Sequence, residues 1–113
     1  MQASADKGAQ IVVLPEMWNC PYSNDSFPQY AEDIKGGNSK SFSAMQTLAK
    51  ELSIVLIGGS IPEKHGSKLY NTSCIFDADG SLIDCHRYAS TWFYGMIRFT
   101  CLLACPLPLQ RAQ

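Results

Sequence analysis

The sequence predicts an α/β fold with a mixed β-sheet. Two short apolar runs, residues 11–14 and 54–57, are suited to strands buried on both faces. Residues 41–52 between them have the three- and four-residue apolar spacing of an amphipathic helix. Strand, helix and strand in this order are typical of a βαβ unit with parallel strands. An alternating segment at residues 69–87 adds an antiparallel hairpin, which makes the sheet mixed.

The amino end is predicted to be the end of a helix followed by the first strand. Residues 1–7 are rich in alanine, and Gly8 is placed to end a helix. The strand at 11–14 stops at Pro15, which has no amide hydrogen for a sheet ladder. Glu16 therefore follows the carboxyl end of a strand, where α/β sheets gather ligands. This position makes Glu16 a candidate general base, and a solvated loop carboxylate is the alternative.

Residues 20–37 are predicted to form a loop, because they are rich in Pro, Ser, Asn and Asp. Long loops at the carboxyl edge of a sheet commonly line sites, so Tyr22 is a candidate pocket residue. The other interpretation is that Tyr22, Phe27 and Tyr30 pack beneath the loop.

The second half of the chain is predicted to form three further strands. Residues 54–60 form the second strand, and Gly58-Gly59 marks its exit. Residues 69–76 and 82–87 form the hairpin around a turn that contains Gly80. One hairpin face is expected to be polar, with the members Asp84, His86 and Arg87.

Composition excludes several classes of partner. With 113 residues the chain is at most one domain, and its net charge of −1 gives no electrostatic footprint for nucleic acid or an anionic membrane. The opening residues do not have the pattern of a signal peptide, so we expect the five cysteines to be reduced thiols in the cytoplasm. An organelle is the alternative compartment, because we expect the chain to start inside a helix.

An ordered series of motifs runs from Leu14 to Arg87. It consists of Leu14-Pro15-Glu16-Met17-Trp18-Asn19-Cys20-Pro21-Tyr22-Ser23, Phe27-Pro28, Tyr30-Ala31-Glu32, Ile57-Gly58-Gly59-Ser60-Ile61-Pro62-Glu63, Leu69-Tyr70-Asn71-Thr72, Phe76-Asp77 and His86-Arg87. The series resembles the nitrilase (carbon–nitrogen hydrolase) superfamily, and within it the omega-amidase branch and its plant members. The resemblance covers residues 1–87. It implies a partial αββα sandwich, a mixed sheet with helices on one face, incomplete at both ends.

The resemblance also implies a chemistry. Members of the superfamily hydrolyse non-peptide carbon–nitrogen bonds with a glutamate, a lysine and a cysteine. The cysteine thiolate attacks the amide carbon, the glutamate moves protons and the lysine steadies the developing oxyanion. No metal or organic cofactor is implied.

The match to these three residues is partial. Glu16 corresponds to the family's glutamate. The family's lysine directly follows the His-Arg pair, and here that position holds Tyr88. The nucleophilic cysteine would fall beyond Gln113. The resemblance stops after Arg87, and we interpret residues 88–113 as an unrelated, poorly ordered tail.

Other residues offer competing interpretations. Glu63, on a predicted loop, is either a second pocket residue or a surface carboxylate. Cys20 is an alternative nucleophile, although the family has small residues there. A zinc site formed by four residues, Cys85, His86, Cys101 and Cys105, is the last alternative. It is disfavoured, because Cys85 and His86 are adjacent in sequence, whereas the paired ligands of zinc sites are separated.

We therefore expect the amino-terminal part of an omega-amidase-like hydrolase. Its intact relatives act on omega-amides of short dicarboxylates, such as 2-oxoglutaramate and 2-oxosuccinamate, and the 113-residue chain itself is expected to be inactive. The alternative is a non-catalytic subunit that associates with full-length relatives, since family members are commonly dimers. We expect neither a nucleic acid nor a membrane as partner.

Overall fold

The computed structural model describes residues 1–89. In chain order its elements are α1 (Gln2–Asp6), β1 (Ile11–Val13), α2 (Phe27–Tyr30), α3 (Lys40–Leu52), β2 (Val55–Ile57), β3 (Ile61–His65), β4 (Lys68–Phe76) and β5 (Leu82–Ala89). The two predicted helices and the four predicted strands are confirmed, with ends displaced by a few residues. The sequence did not predict α2 or β3.

The five strands form one mixed sheet around β4. β1 and β2 are parallel, and α3 lies between them in the chain, so the predicted βαβ unit is confirmed. β2 and β3 lie end to end along one edge of β4, and both are antiparallel to it. β5 is antiparallel to β4 along the other edge, as the predicted hairpin requires.

A bulge at Gly58-Gly59-Ser60 joins β2 to β3. Ile57 pairs with Ile75 and Ile61 pairs with Thr72, so three residues of this edge oppose two residues of β4. The predicted exit of the second strand at Gly58-Gly59 is confirmed, because β2 ends at Ile57. Gly59 has a φ of +58°, which bends the chain, and the chain then rejoins β4 as β3.

Pro62 lies inside β3 without removing a bond to β4. Its carbonyl accepts a hydrogen bond from the amide of Glu32, and the amide of Lys64 donates to the carbonyl of Glu32. These bonds form on the edge of β3 that faces away from β4. The nitrogen of Pro62 points to that same edge, so the missing amide hydrogen leaves the β4 ladder intact.

Helix α3 covers one face of the sheet. The helix begins after Ser39, whose Oγ accepts a hydrogen bond from the amide of Phe42. The Phe42 ring meets the Phe76 ring edge-on, with centroids 5.0 Å apart. The predicted apolar stripe therefore faces the core, whose buried members are Met45, Ala49, Leu56, Ile61, Cys74 and Phe76.

The opposite face of the sheet carries an apolar patch that is largely open in the described part of the chain. Cross-strand pairing places five apolar residues on this open face: Ile11, Val13, Val55, Ile57 and Ile75. Ile11 is 61% exposed and Val13 is 65% exposed. The prediction that β1 and β2 are buried on both faces is therefore wrong for the described residues, because α3 covers only one face.

The polar residues of β5 are divided between the two faces of the hairpin. Asp84 pairs with Ile75 and lies on the open face, whereas Arg87 pairs with Thr72 and lies on the face that α3 covers. The prediction that Asp84, His86 and Arg87 share a face is wrong for Arg87, since side chains alternate along a strand.

β5 continues two residues past Arg87, to Ala89. The predicted tail from residue 90 onward lies outside the described residues, and the domain boundary at residue 88 stays a prediction. Within residues 1–89, no helix is long and apolar enough to cross a membrane.

The structure of the bulge predicts that alanine destabilises the chain more at Gly59 than at Gly66, although the two glycines have almost the same φ. Gly59 has φ +58° and Gly66 has φ +60°, so Ala at either position is strained by about 1 kcal/mol. A Cβ on Gly59 would also collide with the carbonyl oxygens of Pro15 and Leu14, whereas nothing lies within 4 Å of a Cβ on Gly66. We expect Gly59→Ala to reduce the free energy of unfolding by a further ~1–3 kcal/mol relative to Gly66→Ala. Urea denaturation of both variants measures this, and equal losses would contradict the close approach of the β1 end.

Candidate active site

The segment after β1 is fixed onto the bulge by backbone hydrogen bonds. The amide of Leu14 donates to the carbonyl of Ile57, and the amide of Ser60 donates to the carbonyl of Pro15. The amide of Met17 then donates to Oγ of Ser60, and Met17 has a φ of +49°. Glu16 is therefore held between two anchored residues at the carboxyl end of a strand, where the sequence predicts it.

The indole of Trp18 adds a side-chain anchor. Its Nε1 donates to the carbonyl of Gly58 over 2.9 Å, so the residues on both sides of Glu16 are bound to the bulge. Gly58 is closely surrounded as well, since an added Cβ would meet Sδ of Met45 at 2.6 Å. Both glycines of the bulge are thus needed for the approach of neighbouring atoms.

The Glu16 carboxylate accepts two side-chain hydrogen bonds. Nδ2 of Asn71, on β4, donates to one oxygen over 2.8 Å. The hydroxyl of Tyr22 donates to the other oxygen over 3.3 Å. Burial raises the pKa of the Tyr22 phenol, and the negative charge of Glu16 raises it further. Glu16 is therefore an oriented carboxylate in a half-buried position, and not the freely solvated residue of the alternative interpretation.

The aromatic residues of the predicted loop have different environments. Tyr22 is 55% exposed, and its ring meets the buried ring of Phe27 edge-on with centroids 5.7 Å apart. Phe27, which begins α2, packs beneath the loop, whereas Tyr30 is exposed. The hydroxyl of Tyr22 contacts the Glu16 carboxylate, so Tyr22 remains a candidate pocket residue.

Asn71 was not a candidate from the sequence, yet it lies at the centre of this site. It pairs with Pro62 of β3 on one side and with position 88 of β5 on the other. The position at which the resembling family has its lysine is therefore the cross-strand neighbour of the residue that binds Glu16. Oδ1 of Asn71 is buried and has no hydrogen-bond partner among the described residues. No spacing rule in the sequence identifies Asn71, because its role depends on the register of three strands.

Glu32 connects the loop after Glu16 to the start of α3. Its carboxylate accepts from the amide and hydroxyl of Ser41 and from the hydroxyl of Ser39. It also accepts from Nδ2 of Asn19 over 2.8 Å. Burial by itself raises the pKa of Glu32, but the hydrogen bonds from Ser41, Ser39 and Asn19 outweigh it and hold the pKa below its usual value. Glu32 is thus an ionised structural residue.

Glu63 is a strand residue and not a loop residue. It lies on β3, is 1% exposed, and pairs with Tyr70, on the face opposite to that of Asn71. Arg87 donates to both carboxylate oxygens over 2.7 Å, and the hydroxyl of Thr72 donates over 2.7 Å. The interpretation of Glu63 as a surface carboxylate on a loop is therefore wrong, because residues 61–65 form a strand and Glu63 is buried, while its place in a substrate pocket stays a prediction.

The ion pair of Glu63 and Arg87 is reinforced by an aromatic ring. The Arg87 guanidinium lies 4.4 Å from the centroid of the Tyr70 ring. Desolvation by itself raises the pKa of Glu63, but the hydrogen bonds from Arg87 and Thr72 hold it below its usual value. The pair belongs to the α3-facing side of the hairpin.

The cysteines that the structure describes do not provide a nucleophile to Glu16. The Cys20 thiol donates to the carbonyl of Met17 over 3.8 Å, and burial raises its pKa, which disfavours the thiolate. Sγ of Cys85 contacts Sγ of Cys74 on the side of the sheet opposite to Asn71. Residues 1–89 contain no cluster of His, Cys, Asp and Glu suited to a metal ion. Cys101 and Cys105 lie outside the described residues.

The Glu16 carboxylate is thus oriented at the carboxyl end of β1 by a side chain of β4, and comparison with known proteins assigns the chain to a family. The chain belongs to the carbon–nitrogen hydrolase family, whose model matches residues 1–95. Among curated relatives, it is 53% identical over 89 residues to a chloroplastic omega-amidase from Arabidopsis thaliana. It is 51% identical over 87 residues to omega-amidase NIT2 from Xenopus tropicalis. Each match covers 77% of this chain but only 24% and 30% of the respective relative.

Solved structures show the same fold. Nit3 from Saccharomyces cerevisiae, a member of branch 10 of the nitrilase superfamily, matches with a TM-score of 0.69 and 43% identity. That match covers 76% of this chain and 33% of Nit3. XC1258 from Xanthomonas campestris, a CN-hydrolase superfamily protein, matches with a TM-score of 0.59 and 23% identity. The predicted resemblance and the predicted fold class are confirmed, and the chain spans about a quarter to a third of these proteins.

The ion pair on β3 predicts a specific response to acid. The pKa of Glu63 is lower in the folded chain than in the unfolded chain, where it is about 4.3. The unfolded state therefore binds more protons below about pH 4.3, and stability falls as the pH falls through the folded-state pKa. We expect Glu63→Gln to flatten this acid-side loss of stability, which urea midpoints measured from pH 6 to pH 3 would show.

The matched control for this experiment is Glu51→Gln, an exposed carboxylate on α3. In this control, the dependence of the urea midpoint on pH should have the same slope as in the wild-type chain. The slope of Glu63→Gln should be reduced without vanishing, because the pKa of Glu32 is also lowered by folding. An unchanged slope in Glu63→Gln would contradict the ion pair.

Proposed function

We propose that this chain is the amino-terminal part of an omega-amidase-like hydrolase, and that Glu16 is its proton-transfer residue. The observation that carries the proposal is the Glu16 carboxylate, held by Asn71 over 2.8 Å at the carboxyl end of β1. Family membership and the identity to two omega-amidases support the reaction class. The proposed substrates are omega-amides of short dicarboxylates, with 2-oxoglutaramate and 2-oxosuccinamate as examples.

The geometry suits a carboxylate that accepts and returns one proton. In the proposed reaction, a cysteine outside the described residues loses its proton to Glu16 and attacks the amide carbon. Glu16 then gives the proton to the departing ammonia and later activates the water that hydrolyses the thioester. The hydrogen bonds from Asn71 and Tyr22 fix the carboxylate during both steps.

Asn71 is proposed to serve a second purpose in the complete site. Its buried Oδ1 needs a donor, and the amide N–H₂ of a substrate or a lysine at position 88 would supply one. Position 88 is the cross-strand neighbour of Asn71, so a cation there would lie near the reacting carbonyl. The Tyr88 of this chain has no cation to offer. We therefore propose that the 113 residues alone do not turn over omega-amides.

The test replaces the matched segment of the Arabidopsis relative with residues 1–87 of this chain, so that the relative supplies every residue before and after that segment. We expect this chimaera to release ammonia from 2-oxoglutaramate, whereas the 113-residue chain should release none above background. Glu16→Gln in the chimaera should lower kcat by about 10²–10⁴, the usual contribution of general acid–base catalysis. Asn71→Ala should lower kcat by a smaller factor, because it removes a positioning bond.

Glu51→Gln is again the matched control, since Glu51 is an exposed carboxylate of α3. It should leave kcat and KM unchanged. An active chimaera in which Glu16→Gln has no effect would contradict the role of Glu16. Turnover by the 113-residue chain that is lost in Glu16→Gln and in Cys20→Ala or Cys85→Ala would contradict the inactive-chain proposal.

A second candidate function is a non-catalytic subunit that associates with full-length relatives. The open face favours it, because its apolar residues Ile11 and Val13 are both more than half exposed. We expect Val13→Thr to weaken capture of the chain by a full-length relative in a pull-down. Tyr30→Thr, at another exposed residue, should leave capture unchanged. Equal capture of both variants would count against association through the open face.

We propose a cytoplasmic location for this chain. The Arabidopsis relative is described as chloroplastic, so a plastid is the alternative compartment. Imaging of a tagged gene product in its native cells would distinguish the two locations.

A further inference from the structure

Two thiols face each other across the β4–β5 hairpin, on the side of the sheet opposite to Asn71. Cys74 and Cys85 are Cα partners in the antiparallel register. Their Sγ atoms are 2.9 Å apart, closer than two sulfur atoms in ordinary van der Waals contact. Both are free thiols in the structure. The proposed hydrolase chemistry uses neither of them.

The backbone places the two residues at a non-hydrogen-bonded pair of the ladder. The carbonyl of Cys74 accepts from the amide of Gly58, so the backbone polar groups of Cys74 point toward β2 and away from β5. The amide of Cys85 donates to its neighbour, the Asp84 carboxylate, over 2.8 Å. Such pairs have Cα atoms about 4.5 Å apart, with the side chains close together. That separation lies within the range of about 4.4–6.8 Å that a disulfide spans.

The two thiols differ in access to solvent. Cys74 is 1% exposed and belongs to the core, whereas Cys85 is exposed. A small oxidant in solution therefore reaches Cys85 first. Burial, and then the contact with Cys85, raise the pKa of the Cys74 thiol, which disfavours its thiolate and makes Cys85 the first of the two to react.

We propose that Cys74 and Cys85 are a redox modification site that closes to an intrachain disulfide on oxidation by a hydroperoxide. In the first step Cys85-SH reacts with H₂O₂ to give Cys85-SOH and water. In the second step Cys74 attacks the sulfenic sulfur, the S–O bond breaks, and the Cys74 proton leaves with the hydroxyl group as a second water. Two thiols lose two electrons, and one peroxide is reduced to two waters.

The bond would covalently fix the register of the strand that carries position 88. Cys85 and position 88 both lie on β5. Position 88 pairs with Asn71, and Asn71 donates a hydrogen bond to Glu16. A one-residue slip of β5 would move every side chain of that strand to the other face. Closure of the Cys74–Cys85 bond prevents that slip. Oxidation therefore stabilises the hairpin without touching the carboxylate site itself, which lies on the other side of the sheet.

The sequence allows a direct test on the full 113-residue chain. Trypsin cleaves after Lys68 and Arg87 and at no residue between them, so one peptide, residues 69–87, contains both cysteines. After treatment with hydrogen peroxide and then iodoacetamide, we expect this peptide to have lost two hydrogen atoms and to carry no alkyl group. Dithiothreitol should restore two alkylation sites. Cys20→Ser is the matched control and should give the same result.

A control in urea distinguishes the effect of the folded hairpin on disulfide formation from the effect of the short sequence distance between the two cysteines. We expect the disulfide to form at least about tenfold faster in buffer than in urea, because the folded hairpin holds the two sulfur atoms in contact. In Cys74→Ser, Cys85 should stop at a sulfenic acid that dimedone traps. Equal rates in buffer and urea, or a peptide 69–87 that is doubly alkylated after peroxide treatment, would overturn the proposal. A disulfide from Cys85 to another chain or to glutathione in place of Cys74 would also overturn it.

Discussion

The structure depends on the bulge that separates β2 from β3. Gly59 has a φ of +58°, and the carbonyl oxygens of Leu14 and Pro15 approach it so closely that no Cβ fits. The end of β1 can therefore lie directly on the adjacent strand, where Ser60 binds the carbonyl of Pro15 and the amide of Met17. This arrangement directs Glu16 over the sheet and not into solvent. Without the extra residue, every side chain of β3 would lie on the opposite face of the sheet. Glu63 would then lie on the open face, and its neighbours in β3 would lie on the face that α3 covers.

The two faces of the hairpin carry different groups of interacting side chains. On the face that α3 covers, Arg87, Glu63 and Thr72 form a buried charged network beside the Cys74–Cys85 pair. On the other face, Asn71 lies between Pro62 and position 88 and binds Glu16. Neighbouring residues in β4 thus serve stability and the site in alternation. Replacing a residue on one face is expected to leave the other face in place, provided that the register of β4 and β5 is unchanged.

The sequence predicts those parts of this fold whose causes are local. The period of α3, the apolar runs of β1 and β2, the alternation of the hairpin and the place of Glu16 after Pro15 were all predicted and are all confirmed in the structure. β3 was missed, because Gly58-Gly59 and Pro62 are the usual signs of a loop, and their compatibility with a strand depends on the bulge and on Glu32. Asn71 and the pair of Glu63 and Arg87 were missed for another reason. Their roles come from cross-strand partners that no spacing along the chain reveals.

The open face consists of apolar residues on strands that α3 covers from one side alone among the described residues. The apolar runs of β1 and β2 have the composition of strands covered on two sides, yet α3 covers only one side of them in residues 1–89. The relatives are three to four times as long as the matched segment, since the segment covers 24–33% of them. The composition of β1 and β2 is therefore that of strands covered on both faces, whereas the described residues cover one face. Glu16 lies at the end of β1, and its carboxylate is oriented by Asn71 and Tyr22, two residues of this chain. Under the proposed function, the nucleophile and the substrate would reach this carboxylate from the side that these two residues leave open.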